Sequence, residues 1–216
     1  MNQLFESEYQ FPDPSSADEN GIVCIGADLA PDTLLHAYSR GLFPWFNEGE
    51  PIIWWCPNPR CVLWCANVKE SRSMKRFLKK TNYTITYDTA FDQVISNCQT
   101  IKRKGEQGTW ITNKMKNAYI KMHYLGYAHS VEVWDEDQLI GGIYGLIIGK
   151  CFFGESMFSK KTNASKMAMI NLSKHLLNNN IDLIDCQVYN NHLASMGAIE
   201  IDRTKFLALL KERINN

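Results

Sequence analysis

The chain has 216 residues, of which 45% are hydrophobic and 21% are charged, and its formal net charge at pH 7 is zero. This composition is typical of a globular protein with a substantial core, built as one domain or as one domain with a small appendage. The neutral balance excludes nucleic-acid binding through overall charge, so such binding would need a local basic patch. No window reaches the ~18 apolar residues of a membrane span, and the N-terminus lacks the basic and apolar regions of a signal peptide, which predicts a cytoplasmic protein.

Seven cysteines are scattered along the chain, a pattern typical of reduced thiols. Cys56, Cys61 and Cys65 form a cluster, but they contain no C-x2-C pair, and no histidine stands nearby as a fourth ligand. We therefore expect no metal site.

The first 60 residues predict a small unit that is rich in aromatic rings. An irregular lead-in over residues 1–20 precedes a short strand at Ile22–Ile25, and a helix has Pro31 in its first turn and ends at Gly41. Tryptophans, phenylalanines and prolines then crowd residues 43–59, and the prolines exclude a regular central strand there. These rings predict an aromatic core, with one or two of them able to present a flat face to a base.

A basic helix is predicted from Ser71 or Ser73, either of which can cap it. Five cations without an acidic partner gather on one broad face of this helix: Arg72, Lys75, Arg76, Lys79 and Lys80. Such a run is usually a solvated surface, yet it would also suit a phosphate backbone. The residues alone leave both interpretations open.

The middle of the chain predicts a strand and two helices around a surface loop. Tyr83–Tyr87 alternates as a strand, and Asp88 is expected to cap the helix that follows it. A polar, glycine-containing loop is predicted at 102–108. Thr112 then caps an amphipathic helix, and Trp110 precedes that helix, where a ring can stand at the rim of a cavity.

The second half of the chain predicts a mixed sheet with helices packed on it. Its elements are strands at His129–Trp134, Gln138–Ile148 and Cys151–Ser156, a helix at Ala164–Asn178 capped by Asn163, a strand at Ile181–Val188, and helices at His192–Met196 and Thr204–Arg213. Glycines at 141, 142 and 145 indicate a bulge or a close backbone approach within the second strand. The fold class is therefore α+β.

This order of elements resembles acyltransferases of the GNAT type, which hold the pyrophosphate of coenzyme A with a glycine-rich turn after the third strand. At that place the chain reads F-S-K-K-T-N-A-S-K, without a glycine for close approach to a diphosphate. An acyl donor other than coenzyme A is therefore expected.

Two polar side chains, Asp185 and Gln187, interrupt the apolar strand at Ile181–Val188. Because successive strand side chains alternate between faces, these two share one face, with Ile184 and Cys186 on the other. The Gln187 amide could then donate a hydrogen bond to the Asp185 carboxylate. This pair is either a self-satisfied strand end or the catalytic floor of an apolar pocket.

Several stretches together resemble one family, the leucyl/phenylalanyl-tRNA–protein transferases of bacteria. They are G-A-D-L-x-P from Gly26, Y-S-R-G-L-F-P-W-F from Tyr38, W-W-C-P-N-P-R from Trp54, S-R-S-M-K-R-F from Ser71, G-T-W-I-T from Gly108, G-E-S-M-F-S from Gly154, N-A-S-K from Asn163 and L-I-D-C-Q-V-Y-N-x-H from Leu183. They follow the order of the family and cover nearly the whole chain, which makes the combination specific.

The resemblance implies an aminoacyltransferase. Such enzymes take leucine or phenylalanine, and sometimes methionine, from aminoacyl-tRNA and join it to a protein that begins with arginine or lysine, which marks the product for degradation by the N-end rule. No cofactor is expected, because the aminoacyl ester is already activated. The implied fold is a small N-terminal domain, here residues 1–60, followed by a GNAT-like catalytic domain at 61–216 with a mixed sheet flanked by helices. We expect a monomer.

By position, the resemblance assigns catalytic roles to Asp185, Gln187 and Glu155. It implies a pocket for the side chain of the donor at Ile143, Phe152, Met157, Met169, Leu172, Leu176 and Ile184. It further implies Tyr38, Trp45, Trp110 and Tyr119 around the terminal adenosine of the tRNA, and the basic helix Arg72–Lys80 against the acceptor stem. In the mechanism that follows, Gln187, oriented by Asp185, aims the acceptor amine at the ester, and the carboxylates attract the cationic acceptor side chain.

Two other functions fit parts of the sequence. An acyl-CoA-dependent N-acetyltransferase fits the order of elements but not the missing pyrophosphate turn. A non-catalytic RNA-binding module would explain the basic helix but not a polar pair beside an apolar pocket.

Overall fold

Two β-sheets and seven α-helices form the part of the chain that the computed structural model describes, residues 8–101 and 110–214. No helix in these two ranges has the length and apolar character needed to cross a membrane. The predicted loop at 102–108 and the first seven residues of the predicted lead-in lie outside the described residues. The combination of helices and sheets confirms the α+β fold class.

A small antiparallel sheet forms near the start of the chain from β1 (Ile22–Ile25), β2 (Phe43–Pro44) and β3 (Ile53–Trp55), in the order β1-β3-β2. Helix α1 (Pro31–Ser39) connects β1 to β2. Pro31 stands in its first turn as predicted, and Gly41 follows its end with φ of +83°, the left-handed conformation that favours glycine. Trp54 of β3 is fully buried, as an aromatic core requires.

A seven-stranded sheet carries the rest of the chain, in the order β10-β4-β9-β8-β7-β6-β5. Its strands are β4 (Arg60–Trp64), β5 (Thr84–Tyr87), β6 (Ala128–Asp135), β7 (Gln138–Ile148), β8 (Cys151–Ser159), β9 (Leu183–Gln187) and β10 (Ile199–Ile201). All neighbouring strands run antiparallel except β8 and β9, which are parallel. The sheet is therefore mixed, as predicted.

Helices flank both faces of this sheet. They are α2 (Arg72–Lys80), α3 (Phe91–Thr100), α4 (Asn113–Tyr124), α5 (Ala164–Asn178), α6 (Asn191–Ser195) and α7 (Arg203–Ile214). Helix α5 makes the crossover from β8 to β9, because parallel strands cannot be joined by a tight hairpin. Phe153 packs in the core that includes α1, α3, α4 and α7, whereas its neighbour Phe152 packs in the core that includes α5.

The two sheets contribute to one of these cores, since Trp54 of β3 and Phe153 of β8 belong to the same hydrophobic cluster. The division into domains at 1–60 and 61–216 stays a prediction.

Two predicted helix caps are confirmed and two are wrong. The hydroxyls of Ser71 and Thr112 each accept the backbone N–H of the residue three positions on, at 3.1 Å in both cases. Asp88 instead bonds across to strand β6, so α3 begins after Ala90 without a side-chain cap. Asn163 precedes α5 in the left-handed region, at φ of +70°, and its side chain forms no capping bond.

The close backbone approaches predicted in β7 are confirmed. The pairing of β7 with β8 shifts register between Tyr144 and Gly145. A Cβ at Gly145 would lie 2.1 Å from the carbonyl oxygen of Phe153, and a Cβ at Gly141 would lie 2.6 Å from Cβ of Ala164, the first residue of α5. The absence of a side chain at these two glycines lets β8 and α5 pack against β7.

Candidate active site

A cleft opens where the parallel strands β8 and β9 separate. Their pairing ends at Phe153 and Asp185, while β8 continues to Ser159. The cleft has a volume of about 520 Å³, within the range of small-molecule sites. Its lining is largely apolar, with two tryptophans and a few polar groups: Ile143, Met157, Met169, Ile184, Trp45, Trp110, Glu155 and Gln187 belong to it.

Glu155 of β8 is the one carboxylate among the described residues that line this cleft. Its Oε1 accepts hydrogen bonds from the Tyr38 hydroxyl at 2.6 Å and from Nε2 of Gln187 at 2.9 Å, and its Oε2 accepts one from the Tyr119 hydroxyl at 2.9 Å. Burial raises the pKa of Glu155 to about 7, although these three hydrogen bonds lower it. A carboxyl group with this pKa can accept and release a proton near neutral pH.

Tyr38 and Tyr119 are completely buried, and their hydroxyls lie in contact with each other while each donates its proton to Glu155. Burial, aided by the charge of Glu155, raises the pKa of both phenols well above the ordinary value, so both remain protonated donors. Neither ring exposes a face, so neither can stack on a base in this conformation, and the implied place of these two residues beside an adenosine stays a prediction. In the structure their hydroxyls support the Glu155 carboxylate.

Asp185 of β9 is also completely buried, and it forms a two-bond ion pair with Arg60 of β4. Nε of Arg60 donates to Oδ1 at 2.8 Å and Nη2 donates to Oδ2 at 2.6 Å. Strand alternation turns Asp185 away from Ile184, which lines the cleft. The charge of Asp185 is therefore paired inside the protein and does not face the cleft.

The predicted hydrogen bond from the Gln187 amide to the Asp185 carboxylate is wrong. The backbone N–H of Gln187 donates to Oδ1 of Asp185 at 2.9 Å, and its side-chain amide donates to Glu155. Gln187 has φ of +62°, a left-handed conformation that costs a non-glycine residue about 1–3 kcal/mol. This conformation takes the residue out of strand alternation and turns its amide into the cleft.

The residues implied for the side-chain pocket divide between two cavities. Ile143, Met157, Met169 and Ile184 line the cleft, and Phe152 is buried behind it in the same hydrophobic cluster. Leu172 and Leu176 instead line a separate cavity of about 260 Å³, with Tyr87 and His175. The reason is helical rise: Leu176 shares a face of α5 with Met169 but lies two turns, roughly 10 Å, farther along it.

Trp45 and Trp110 both line the cleft, in agreement with an open ring face for each. Trp45 is 42% exposed, and its ring packs against that of Trp55 with centroids 5.5 Å apart. Of the four rings implied around an adenosine, these two are available to a ligand.

Helix α2 presents its five cations to solvent, and none of them forms an ion pair with another described residue. Met74 is buried on the opposite side, with Phe77 and Leu78 half-buried beside it. The predicted amphipathic arrangement is therefore confirmed, and the cations are free to meet an anionic partner.

The ligand-binding and catalytic roles assigned to the residues of the cleft and of helix α2 stay predictions.

Comparison with known proteins identifies the family. The model of the leucyl/phenylalanyl-tRNA protein transferase matches residues 62–211, and the model of the N-terminal domain of the same transferase matches residues 27–58. A leucyl/phenylalanyl-tRNA–protein transferase from Flavobacterium johnsoniae is 52% identical over 213 residues, which cover 99% of this chain and 100% of the relative. This chain belongs to the leucyl/phenylalanyl-tRNA–protein transferase family.

Other relatives carry the same name. Those from Syntrophus aciditrophicus and Escherichia coli O157:H7 are 52% and 49% identical, over 94% and 97% of this chain and 85% and 89% of their own lengths. The leucyl/phenylalanyl-tRNA–protein transferase family consists of aminoacyltransferases, and this chain is therefore an enzyme of that class.

Sequence reasoning missed Arg60, although this residue ends the motif W-W-C-P-N-P-R, which resembles the leucyl/phenylalanyl-tRNA–protein transferase family. It begins the otherwise apolar strand R-C-V-L-W and is completely buried. A buried cation in one apolar strand and a lone carboxylate in another are a signal that the two strands pair, because each charge needs the other. Arg60 and Asp185 fulfil that requirement across β4 and β9.

Proposed function

We propose that the cleft joins leucine or phenylalanine, and also methionine, from aminoacyl-tRNA to the N-terminal amine of an acceptor protein. The observation that carries the proposal is Glu155, a carboxylate with a pKa of about 7 that faces a largely apolar cleft and is held there by three hydrogen-bond donors. Family membership supplies the reaction class, and the geometry of the cleft supports the assignment of roles to residues.

The chemistry requires a neutral amine and a group that takes up its proton. An aminoacyl ester is already activated, so no cofactor has to drive formation of the amide. A free α-amino group has a pKa of ~7.7–8.0, so only a minority is unprotonated at neutral pH. Glu155, with its pKa near 7, is suited to accept the proton that the amine loses during attack. It can return that proton to the ribose oxygen of the tRNA, which leaves as a hydroxyl when the ester bond breaks and the amide forms.

Gln187 and Asp185 have different parts in this proposal. The Gln187 amide lies in the cleft beside Glu155 and can orient the incoming amine. Asp185 fixes the backbone of Gln187 and acts as a positioning residue, because Arg60 already pairs with its charge. Negative charge for the arginine or lysine side chain of the acceptor then comes from Glu155.

The donor would occupy the apolar part of the cleft. Ile143, Met157, Met169 and Ile184 offer no polar partner to a donor side chain. We propose that this lining suits side chains that are unbranched at Cβ. We therefore expect a graded preference for leucine, then phenylalanine and methionine, over isoleucine and valine, since a pocket discriminates one methylene by only ~1–3 kcal/mol.

The rest of the tRNA would lie outside the cleft. The terminal adenosine would stack on Trp45 and Trp110. The exposed cations of α2 would contact the phosphates of the acceptor stem.

We further propose that the acceptors begin with arginine or lysine, that the product enters the N-end rule degradation pathway, and that the enzyme acts as a monomer.

A transfer assay tests the function. Leucyl-tRNA carrying labelled leucine is incubated with the protein and with a peptide that begins with arginine, and the product is sequenced by mass spectrometry. The same peptide with an acetylated N-terminus is the control, and acetyl-CoA replaces the charged tRNA in a parallel reaction. Leucine at the N-terminus of the free peptide alone is the expected result. Acetylation of the peptide, or binding of tRNA without transfer, would reject the proposal.

A further inference from the structure

We propose that Arg60 is a positioning residue for aminoacyl transfer: by fixing Asp185 it holds the backbone of Gln187 in the conformation that aims the Gln187 amide at Glu155. This inference rests on the proposed function, because it extends the same site by one residue. Arg60 lies outside the residues that line the cleft and acts through Asp185 and Gln187.

Arg60 is held at its guanidinium by Asp185 and by two aromatic rings. Its guanidinium meets both oxygens of Asp185 in the two-bond geometry, which sets direction as well as distance. Two aromatic rings hold the same group: Cζ lies 4.8 Å from the ring centroid of Phe43 and 4.5 Å from that of Phe206. Phe43 itself lines the cleft, so the guanidinium lies directly behind the cleft wall.

The hydrogen bonds continue from this ion pair into the cleft without a break. Oδ1 of Asp185 accepts both Nε of Arg60 and the backbone N–H of Gln187. Gln187 has φ of +62°, a backbone conformation that is unfavourable for a residue other than glycine. The hydrogen bond that its backbone N–H donates to Asp185 therefore helps to stabilise this conformation. The Gln187 amide then donates to Oε1 of Glu155 at 2.9 Å.

A purely structural role for Arg60 would stabilise the fold and leave the titration of Glu155 unchanged. The groups that face Glu155 are Tyr38 of α1, Tyr119 of α4, and Gln187 and Asp185 of β9. The hydrogen bond from Gln187 lowers the pKa of Glu155, and the charge of Asp185 raises it. Loss of the two-bond contact with Arg60 would remove the first effect, and loss of the Arg60 charge in a neutral variant would also strengthen the second, so each change moves the pKa of Glu155 upward.

The test compares Arg60→Lys with the same change in a second two-bond ion pair, whose two residues do not line the cleft. Arg213 binds Asp182 with the same two-bond geometry, at 2.9 and 2.8 Å, and its guanidinium lies 4.9 Å from the ring centroid of Trp64. Arg213→Lys therefore makes the same chemical change in an ion pair whose carboxylate, Asp182, stands directly before strand β9. The rate constant kcat, the KM for leucyl-tRNA and the pH dependence of kcat/KM are measured for both variants and for the unmodified protein.

We expect Arg60→Lys to lower kcat by about 10-fold or more with little change in KM, because positioning at the reacting atoms is lost. The low-pH limb of its kcat/KM profile should move to higher pH, whereas Arg213→Lys should keep the profile of the unmodified protein. Arg60→Gln, neutral and with a single amide donor, is measured in parallel, and whichever variant at position 60 keeps its circular dichroism spectrum decides the question.

A folded variant at position 60 with unchanged kcat and an unchanged low-pH limb would overturn the inference while leaving the proposed function intact. Absence of transfer by the unmodified protein would instead reject the proposed function, so the two failures are distinguishable.

Discussion

Gln187 donates its backbone N–H to Oδ1 of Asp185 at 2.9 Å and its side-chain amide to Glu155 at the same distance. One residue thus connects two carboxylates in different surroundings. Asp185 is buried and paired with Arg60, whereas Glu155 faces the cleft with a pKa of about 7. Different surroundings give two carboxyl groups different roles, here one that positions and one that exchanges a proton.

Glu155 should make the stability of the protein depend on pH. Its pKa is about 7 in the folded chain against an ordinary value of 4.5, so the folded protein holds a proton that the unfolded chain releases. Its contribution to stability is present at low pH and is lost as pH rises through that window. We compare the free energies of unfolding of Glu155→Gln and of the unmodified protein, measured by urea denaturation. Between pH 4.5 and pH 7 their difference should change by up to about 3 kcal/mol in favour of Glu155→Gln, because only the unmodified protein loses the contribution of Glu155. A difference that stays constant with pH would contradict this.

The two buried tyrosines should set the pH at which Glu155 works. Replacing both, Tyr38→Phe with Tyr119→Phe, removes two hydrogen bonds that lower the pKa of Glu155. The low-pH limb of kcat/KM should then move to higher pH, and the rate at neutral pH should fall by about 10-fold or more, since a single hydrogen bond to a charged group already contributes about 1.5 kcal/mol. Tyr124→Phe, at an exposed position, is the control and should leave the profile unchanged. A double variant with the unmodified limb would show that these phenols do not tune Glu155.

The basic helix should matter for tRNA and not for chemistry. Glutamine at positions 72, 75 and 76 of α2 should raise KM for leucyl-tRNA and flatten the salt dependence of tRNA binding, because about three phosphate contacts are lost. A minimal donor, leucyl-adenosine, should react at the unmodified rate.

The control for this helix carries the same loss of charge elsewhere, with glutamine at the exposed positions Lys150, Lys205 and Lys211. An equal rise in KM for leucyl-tRNA in both triple variants would mean that overall charge, rather than helix α2, attracts the tRNA.

The two cavities beside α5 should respond differently to the loss of side-chain volume. Met169→Ala enlarges the cleft, so we expect phenylalanine to gain on leucine by about 10-fold, near the lower end of the ~1–3 kcal/mol that pocket shape supplies. Leu172→Ala opens the other cavity, so it should lower the free energy of unfolding by roughly 2–5 kcal/mol without changing that ratio. Competition between leucyl- and phenylalanyl-tRNA measures the ratio. A larger change for Leu172→Ala would relocate the pocket to the second cavity.

The sequence predicted most of the fold because its long elements carry strong patterns. Helix α5 runs from Ala164 to Asn178 as predicted, and the hairpin of β6 and β7 turns at 136–137 between the expected strands. Strands β2 and β3 were not predicted, and β3 is the central strand of the small sheet, in the range where the prolines were expected to exclude one. Strands β4 and β10 were not predicted either. They have five and three residues, too few for a period to stand out, and they form only through pairing with distant strands.

The site was predicted less completely, because strand alternation was extended one residue too far. It placed Asp185 and Gln187 on one face, but Gln187 leaves the β region at φ of +62°, and local sequence gives no sign of that. The partner of Asp185 is Arg60, 125 positions away, a separation that no periodicity bridges. Nothing in the sequence indicated that Tyr38 and Tyr119 contact Glu155, because that contact depends on how α1 and α4 pack against the sheet.

The most direct test of the account is the rate of leucine transfer by Glu155→Gln. Purified variant and unmodified protein are mixed with saturating leucyl-tRNA and a peptide that begins with arginine, and the transferred leucine is followed in a single turnover at pH 7. Glutamine keeps the size of the side chain and its one oxygen can still accept a hydrogen bond from a tyrosine, but its NH2 group only donates and the side chain cannot take up a proton. We predict that the variant transfers leucine at least about 10²-fold more slowly than the unmodified protein. A folded variant that transfers leucine at the unmodified rate would contradict the central role of Glu155.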